Sequence, residues 1–130
     1  MVPKEVEMIL ARQLASFLAL PIFLVGPSGD LIYYNEPAEA ILGCRFEETG
    51  EMSAMTWATM FRPQDGDGGA VTPDMLPLVI AVNTKRPAHS SFWISALDQS
   101  RHYIDVTAIP VIGQSERFLG AMAIFWEGHP

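Results

Sequence analysis

Along residues 6–20 the apolar side chains Val6, Ile9, Leu10, Leu14, Phe17 and Leu18 recur at helical spacing, while Lys4, Glu5, Glu7, Arg12 and Gln13 fall elsewhere on the wheel. The pattern predicts an amphipathic helix that stops before Pro21. Two short apolar runs follow, residues 22–25 and 31–34, around Pro27-Ser28-Gly29-Asp30, whose residues favour a tight turn, so the segment predicts an antiparallel hairpin. Asn35 can then cap a helix through its side-chain oxygen. Pro37 is tolerated in the first turn, Ala38, Ile41 and Leu42 carry the apolar stripe, and Gly43 ends it.

Periodicity is poor over residues 45–72, apart from a short helix expected around "SAMTWATMF"; "RPQDGDGGAVTP" reads as a polar, glycine-rich, mobile loop. "DMLPLVIAVNT" predicts a second clear helix, capped by Asp74, with Pro77 in the first turn where a missing N–H costs no helical bond. Three strand-like runs close the chain, residues 89–97, 101–111 and 117–126. They are separated by "DQS" and "IGQSE", lengths that suit hairpins.

Composition narrows the class. At 130 residues the chain is one domain, and 49% hydrophobic against 18% charged residues describes a globule with a real core. A net charge of -7 repels nucleic acid and anionic lipid, leaving proteins or uncharged ligands as partners. The single cysteine, Cys44, forms no intrachain disulfide, and the first ten residues lack the basic start and cleavage pattern of a secretory signal, so a cytoplasmic protein is expected. The longest apolar run, residues 14–25, contains Ser16 and Pro21 and is too short to cross a bilayer, so no membrane partner is expected.

Chemistry-bearing residues are sparse. Ser28, Ser90, Ser91, His89, His102 and Asp105 supply the residue types of a hydrolase triad, yet no Gly-X-Ser-X-Gly turn is present and Asp105 should face away from His102. Glu47, Glu48 and Glu51 form a solvated run, "QDGDGG" lacks the alternation of a calcium loop, and His89, His102 and His129 have no metal-ligand spacing. The sequence is read as non-enzymatic.

The order of elements, with "LPIFLVGPSGDLIYYNEPAEAILG" near the start and "IDVTAIPVIGQSERFLGAMAIFWE" at the end, resembles the PAS family of sensory domains. That resemblance implies an α+β fold: five antiparallel strands in the order 2-1-5-4-3, helices on one face, ligands bound between the two. Residues 21–127 would form the PAS domain and residues 1–20 a capping or dimerising helix.

Strand alternation then assigns faces. His102, Ile104, Val106, Ala108 and Pro110 share one side of the fourth strand, which the resemblance turns inward, together with Phe92, Ile94 and Ala96, and with Gly120, Met122 and Ile124. The candidate ligand pocket is Phe92, Ile94, His102, Ile104, Val106, Ala108, Met122 and Ile124, aided by Phe61 or Trp57, and its candidate ligand is an apolar small molecule. The alternative is a fully packed core.

Gly43-Cys44-Arg45-Phe46 is similar to the flavin-bonding motif of the light-sensing LOV subfamily, but Cys44 follows the first short helix rather than opening a later one. Ile94, Ile104 and Met122 stand where that subfamily places flavin-binding amides. A polar edge left unpaired there costs about 1–3 kcal/mol per group. Haem-binding members use a histidine on the long middle helix, and residues 77–83 contain none. No cofactor is expected.

The opposite face of the sheet is also apolar, with Trp93, Tyr103, Ile109, Leu119, Ala121, Ala123 and Phe125. Such a patch calls for a cover. The expected arrangement is a homodimer through Ile9, Leu10, Leu14, Phe17, Trp93, Tyr103, Leu119 and Phe125. The chain is thus read as a sensory or protein-interaction module in signal transduction or transcription regulation, working with a kinase, cyclase, phosphatase or transcription regulator. The alternative is a dedicated binding protein that holds a lipid-like or flavin cofactor.

Overall fold

Periodicity and capping place most elements where the sequence puts them. The computed structural model describes residues 6–130, so Lys4 and Glu5 lie outside the described residues. The elements run α1 (Val6–Phe17), β1 (Ile22–Val25), β2 (Leu31–Tyr34), α2 (Glu36–Leu42), α3 (Phe46–Thr49), α4 (Ala54–Met60), α5 (Pro77–Thr84), β3 (Ala88–Ser95), β4 (Arg101–Ile112) and β5 (Phe118–Glu127). The strands form one antiparallel sheet ordered β2-β1-β5-β4-β3.

Local chemistry explains the boundaries. The Asn35 Oδ1 accepts the Ala38 N–H and starts α2, and Gly43, at φ 79°, closes it by donating its N–H to the Glu39 carbonyl. Two expectations shift. The middle helix α5 begins at Pro77 with Leu76 as its cap, after a separate 3-10 turn over Pro73–Met75, so Asp74 accepts from the Thr72 hydroxyl instead of capping the helix. The glycine-rich loop is tied to the sheet: Gln64 exchanges both backbone hydrogen bonds with Trp93 at 2.8 Å, covering the open edge of β3.

The main core lies on one face of the sheet. Phe23 and Val25, Ala121, Ala123 and Phe125, Ile104, Val106 and Ala108, and Phe92 and Ile94 meet the apolar stripes of α2, α4 and α5 there. Trp57 packs edge-on to Phe23, and its Nε1–H donates to the Gly29 carbonyl at 2.8 Å, anchoring α4 to the β1–β2 turn.

The inward set on β5 is Ala121, Ala123 and Phe125, not Gly120, Met122 and Ile124 as the resemblance implies. A bulge causes the difference: the β4–β5 register slips between Val111 and Ile112, opposite Gly120 at φ 146°. One extra residue reverses the face of every side chain beyond it. Beyond the bulge Met122 pairs with Leu24 and Ile109, and Ile124 with Ile22 and Thr107, on the outer face.

The helix α1 lies on that outer face. It does so through its smaller side chains: Met8 and Ala15 are buried, Met8 packing with Leu24 and Leu119 and supported by Ala11. The bulky residues of the sequence stripe point away, with Leu10 56%, Leu14 57% and Phe17 86% exposed. Asn35 fixes the helix end, its Nδ2 donating to the Ala15 carbonyl at 2.9 Å and the Leu20 carbonyl at 2.8 Å. These bonds draw the chain out of helix after Phe17, earlier than residue 20.

Candidate functional site

Between the inner face and the helices lies a cavity of about 80 Å³. Phe92 and Ile94 from β3, Ile104 and Val106 from β4, and Ala123 and Phe125 from β5 form its floor; Leu42, Trp57, Ala58, Phe61, Leu76 and Leu78 close the helical side. Every lining side chain is apolar. Such a lining offers a water none of the two to four polar partners it needs.

The structure brings together four of the eight pocket residues chosen from sequence, Phe92, Ile94, Ile104 and Val106, with both of the aromatic residues named beside them, Trp57 and Phe61. Ala108 is buried in the same core without reaching the cavity. Met122 and Ile124 are displaced to the outer face by the bulge. His102 stays at the sheet's end, bonded to Ser100 and Glu127. Alternation could not find Ala123 and Phe125 because the bulge leaves no mark in sequence except Gly120.

The residues do not fit a flavin ring. The cavity is far below the roughly 300–1,000 Å³ of ordinary cofactor and ligand sites, and the inward β5 residues Ala121 and Ala123 offer no amide. Cys44 is not among the lining residues. Its Sγ lies 3.1 Å from the Tyr34 hydroxyl, and burial pushes its thiol above the ordinary value. Among the described residues no group of His, Cys, Asp and Glu could hold a metal ion, and no helix is long and apolar enough to cross a membrane.

The outer face forms a second candidate surface. Beyond α1, Trp93 packs edge-on to Tyr103 with the Arg101 guanidinium 4.7 Å above its ring, and Ile109 and Trp126 remain exposed. Of the residues expected at a dimer interface, Ile9, Leu10, Leu14 and Phe17 are exposed and Trp93 and Tyr103 half-buried. Two are not available. Leu119 is buried beneath Met8, and the bulge turns Phe125 into the main core.

The sequence matches no family model and no curated protein. Solved structures do match. The PAS domain of the fruit-fly ELK potassium channel aligns with a TM-score of 0.72 at 6% identity, over 92% of this chain and 95% of that one. The LOV protein of Rhodobacter sphaeroides aligns at 0.72 and 12% identity, over 95% of this chain and 68% of that one. A PAS domain from a two-component sensor histidine kinase aligns at 0.60 and 12% identity, over 94% and 96%. With its β2-β1-β5-β4-β3 sheet, its helices over the inner face and its likeness to these domains, the chain has the PAS fold.

Proposed function

We propose that the chain is a non-catalytic sensory and protein-interaction module of signal transduction, acting as a homodimer closed through α1 and the outer face of the sheet. The PAS fold supports the general role. The exposure of Leu10, Leu14 and Phe17 carries the specific one: burying each such side chain is worth about 1.5–3 kcal/mol, and the helix keeps all three off its own sheet.

A second copy suits that surface. Val6, Leu10, Gln13 and Phe17 fall on one side of the helical wheel and carry no charge. The flanking charges are occupied, Arg12 over the Tyr33 ring at 4.7 Å and Glu7 accepting the Gln114 N–H at 3.3 Å. Two chains of charge -7 can approach through an uncharged face with the least repulsion. A symmetric pairing of that face closes on itself and leaves no free patch. The signalling partner would be a kinase, cyclase, phosphatase or transcription regulator.

Cross-linking tests the pairing. In a Cys44→Ser background, Gln13→Cys places one thiol on the outer side of α1, and mild oxidation should give a covalent dimer. Asn83→Cys, exposed on α5, serves as control. Equal cross-linking of both, or none at Gln13→Cys, would overturn the reading.

A second reading, a small-molecule binding protein, rests on the cavity. Its volume is about half the ~150 Å³ that admits benzene in an engineered apolar cavity, so the ligand would be an apolar molecule of a few heavy atoms. A lipid chain or flavin would require the helices to move apart. Native mass spectrometry of the purified protein distinguishes the cases, since a retained lipid or flavin adds its own mass.

A further inference from the structure

Four polar side chains meet where β5 ends. His102 on β4 stands between Glu127, the last residue of β5, and Ser100 in the β3–β4 turn: Nδ1 is 3.0 Å from Glu127 Oε1 and Nε2 is 2.8 Å from Ser100 Oγ. The Ser100 hydroxyl donates to Asp98 Oδ1 at 2.5 Å, an oxygen that also accepts the Ser100 backbone N–H at 3.0 Å. The His102 side chain is 17% exposed, so this cluster is partly shielded from water.

Serine, histidine and carboxylate in a row invite a nucleophilic reading, but the Ser100 hydroxyl is directed to Asp98. An ionised carboxylate only accepts hydrogen bonds, and a serine hydroxyl has one proton to give. When Ser100 gives its proton to Asp98, its oxygen accepts from Nε2. Glu127 also only accepts, so Nδ1 must donate. An imidazole that donates from both nitrogens is protonated. In this protonated state Nε2 cannot serve Ser100 as a base.

We propose that Asp98, Ser100, His102 and Glu127 form a proton-binding site, in which protonated His102 clasps the end of β5 to the β3–β4 turn and loss of the proton opens the clasp. Neutral His102 keeps only one N–H. It must release Glu127 or Ser100, or take the Ser100 proton away from Asp98, and each alternative removes a bond that the protonated form makes. The clasp is therefore complete at low pH and loosens as pH rises.

The surroundings favour this assignment and give it a route inward. The charged groups facing the ring are Glu127 from β5 and Asp98 from the turn; Arg101, next along β4, lies over the Trp93 ring instead. Asp98 is held below the usual carboxylate range, by the Ser100 hydrogen bonds first and also by the His102 charge. On the helical side, the Leu97 N–H donates to the Leu42 carbonyl at 3.0 Å, and a side chain at Gly43 would collide with Asp98. The Cys44 thiol, next in sequence, feels the Asp98 charge. Leu42 also lines the apolar cavity, so movement of the turn reaches that site.

Nitrogen-15 NMR of the imidazole side chains counts ring protons directly. Across a pH series, His102 should carry two ring protons where the clasp is closed and one where it is open. The backbone amides of Ser100 and Leu97 should shift with the same midpoint. His102→Gln should abolish that coupled shift, and Glu127→Gln should move its midpoint. A His102 that is singly protonated where the clasp bonds are present, or Ser100 and Leu97 shifts that persist in His102→Gln, would overturn the proposal. The ring-nitrogen measurement needs no variant and decides even if a substitution unfolds the chain.

Discussion

Replacing Asn35 with alanine should destabilise the domain out of proportion to the size of the side chain. Asn35 is fully buried and uses its entire bonding capacity: Oδ1 accepts from the Ile22 N–H at 2.9 Å and the Ala38 N–H at 3.2 Å, and Nδ2 donates to the carbonyls of Ala15 and Leu20. Alanine removes the cap of α2, a loss of about 0.5–2 kcal/mol. It also strands the Ile22 N–H, which lies in a fully buried residue, at about 1–3 kcal/mol, while the Ala15 carbonyl keeps the Leu18 N–H at 3.2 Å. Leu20 is exposed, so its carbonyl recovers a bond to water. The total is roughly 1.5–5 kcal/mol, a large part of the 5–15 kcal/mol typical of a whole domain.

Urea denaturation followed by circular dichroism measures the difference. Asn35→Asp refines the test, because a carboxylate keeps both accepted bonds and the cap but cannot donate to Ala15 and Leu20. It should leave α2 intact while hydrogen exchange speeds up across α1. A loss below about 1 kcal/mol for Asn35→Ala, or equal exchange in α1 for Asn35→Asp, would refute the view of Asn35 as the junction of α1, β1 and α2.

Other perturbations test other parts of the account. Gly120→Ala should abolish cooperative thermal unfolding or lower its midpoint sharply, since the backbone there is at φ 146° and a Cβ would overlap the Val25 carbonyl. Ile94→Ala should enlarge the cavity and cost about 2–5 kcal/mol; benzene should then raise the melting temperature of the variant more than that of the parent. Burial pushes the Tyr34 phenol above its ordinary value of 10.0, with Cys44 adding to the rise. The stability that this neutral phenol contributes is fully present below pH 10 and is lost as pH climbs beyond it, which urea midpoints at pH 8, 10 and 11 should show. For Cys44, alkylation at pH 8 should be slower in the folded chain than in urea, as its raised thiol pKa requires.

Much of this architecture could be read from residue patterns because the elements announce themselves locally. Asn35, Pro37 and Gly43 mark both ends of α2, and the spacing of the three long strands leaves room only for hairpins. The errors arise where a single local choice is settled by distant contacts. Gly120 sits against the Val25 backbone, and that approach produces the bulge that turns Phe125 inward and Met122 outward. Alternation carried past Gly120 without the bulge therefore puts Met122 and Ile124 on the wrong face.

A similar reason governs α1. The sequence shows a strong apolar stripe, but the space above β1 admits Met8, Ala11 and Ala15 rather than Leu10, Leu14 and Phe17. Asn35 looked like a helix cap alone, since its bonds to Ala15 and Leu20 reach 20 and 15 residues back along the chain. His102 was assigned to the pocket by its place in the alternation. The pattern could not show that Ser100, two residues earlier, and Glu127 from another strand would hold it at the edge.

The central claim, that α1 and the outer face close a homodimer, is tested most directly by sedimentation equilibrium. Loaded at about 100 μM, where any pairing worth more than roughly 6 kcal/mol is visible, the parent chain should show twice its 14.3 kDa mass. The Leu14→Asp/Phe17→Asp variant should return to 14.3 kDa with unchanged circular dichroism. A parent chain that sediments at 14.3 kDa at that concentration would contradict the account.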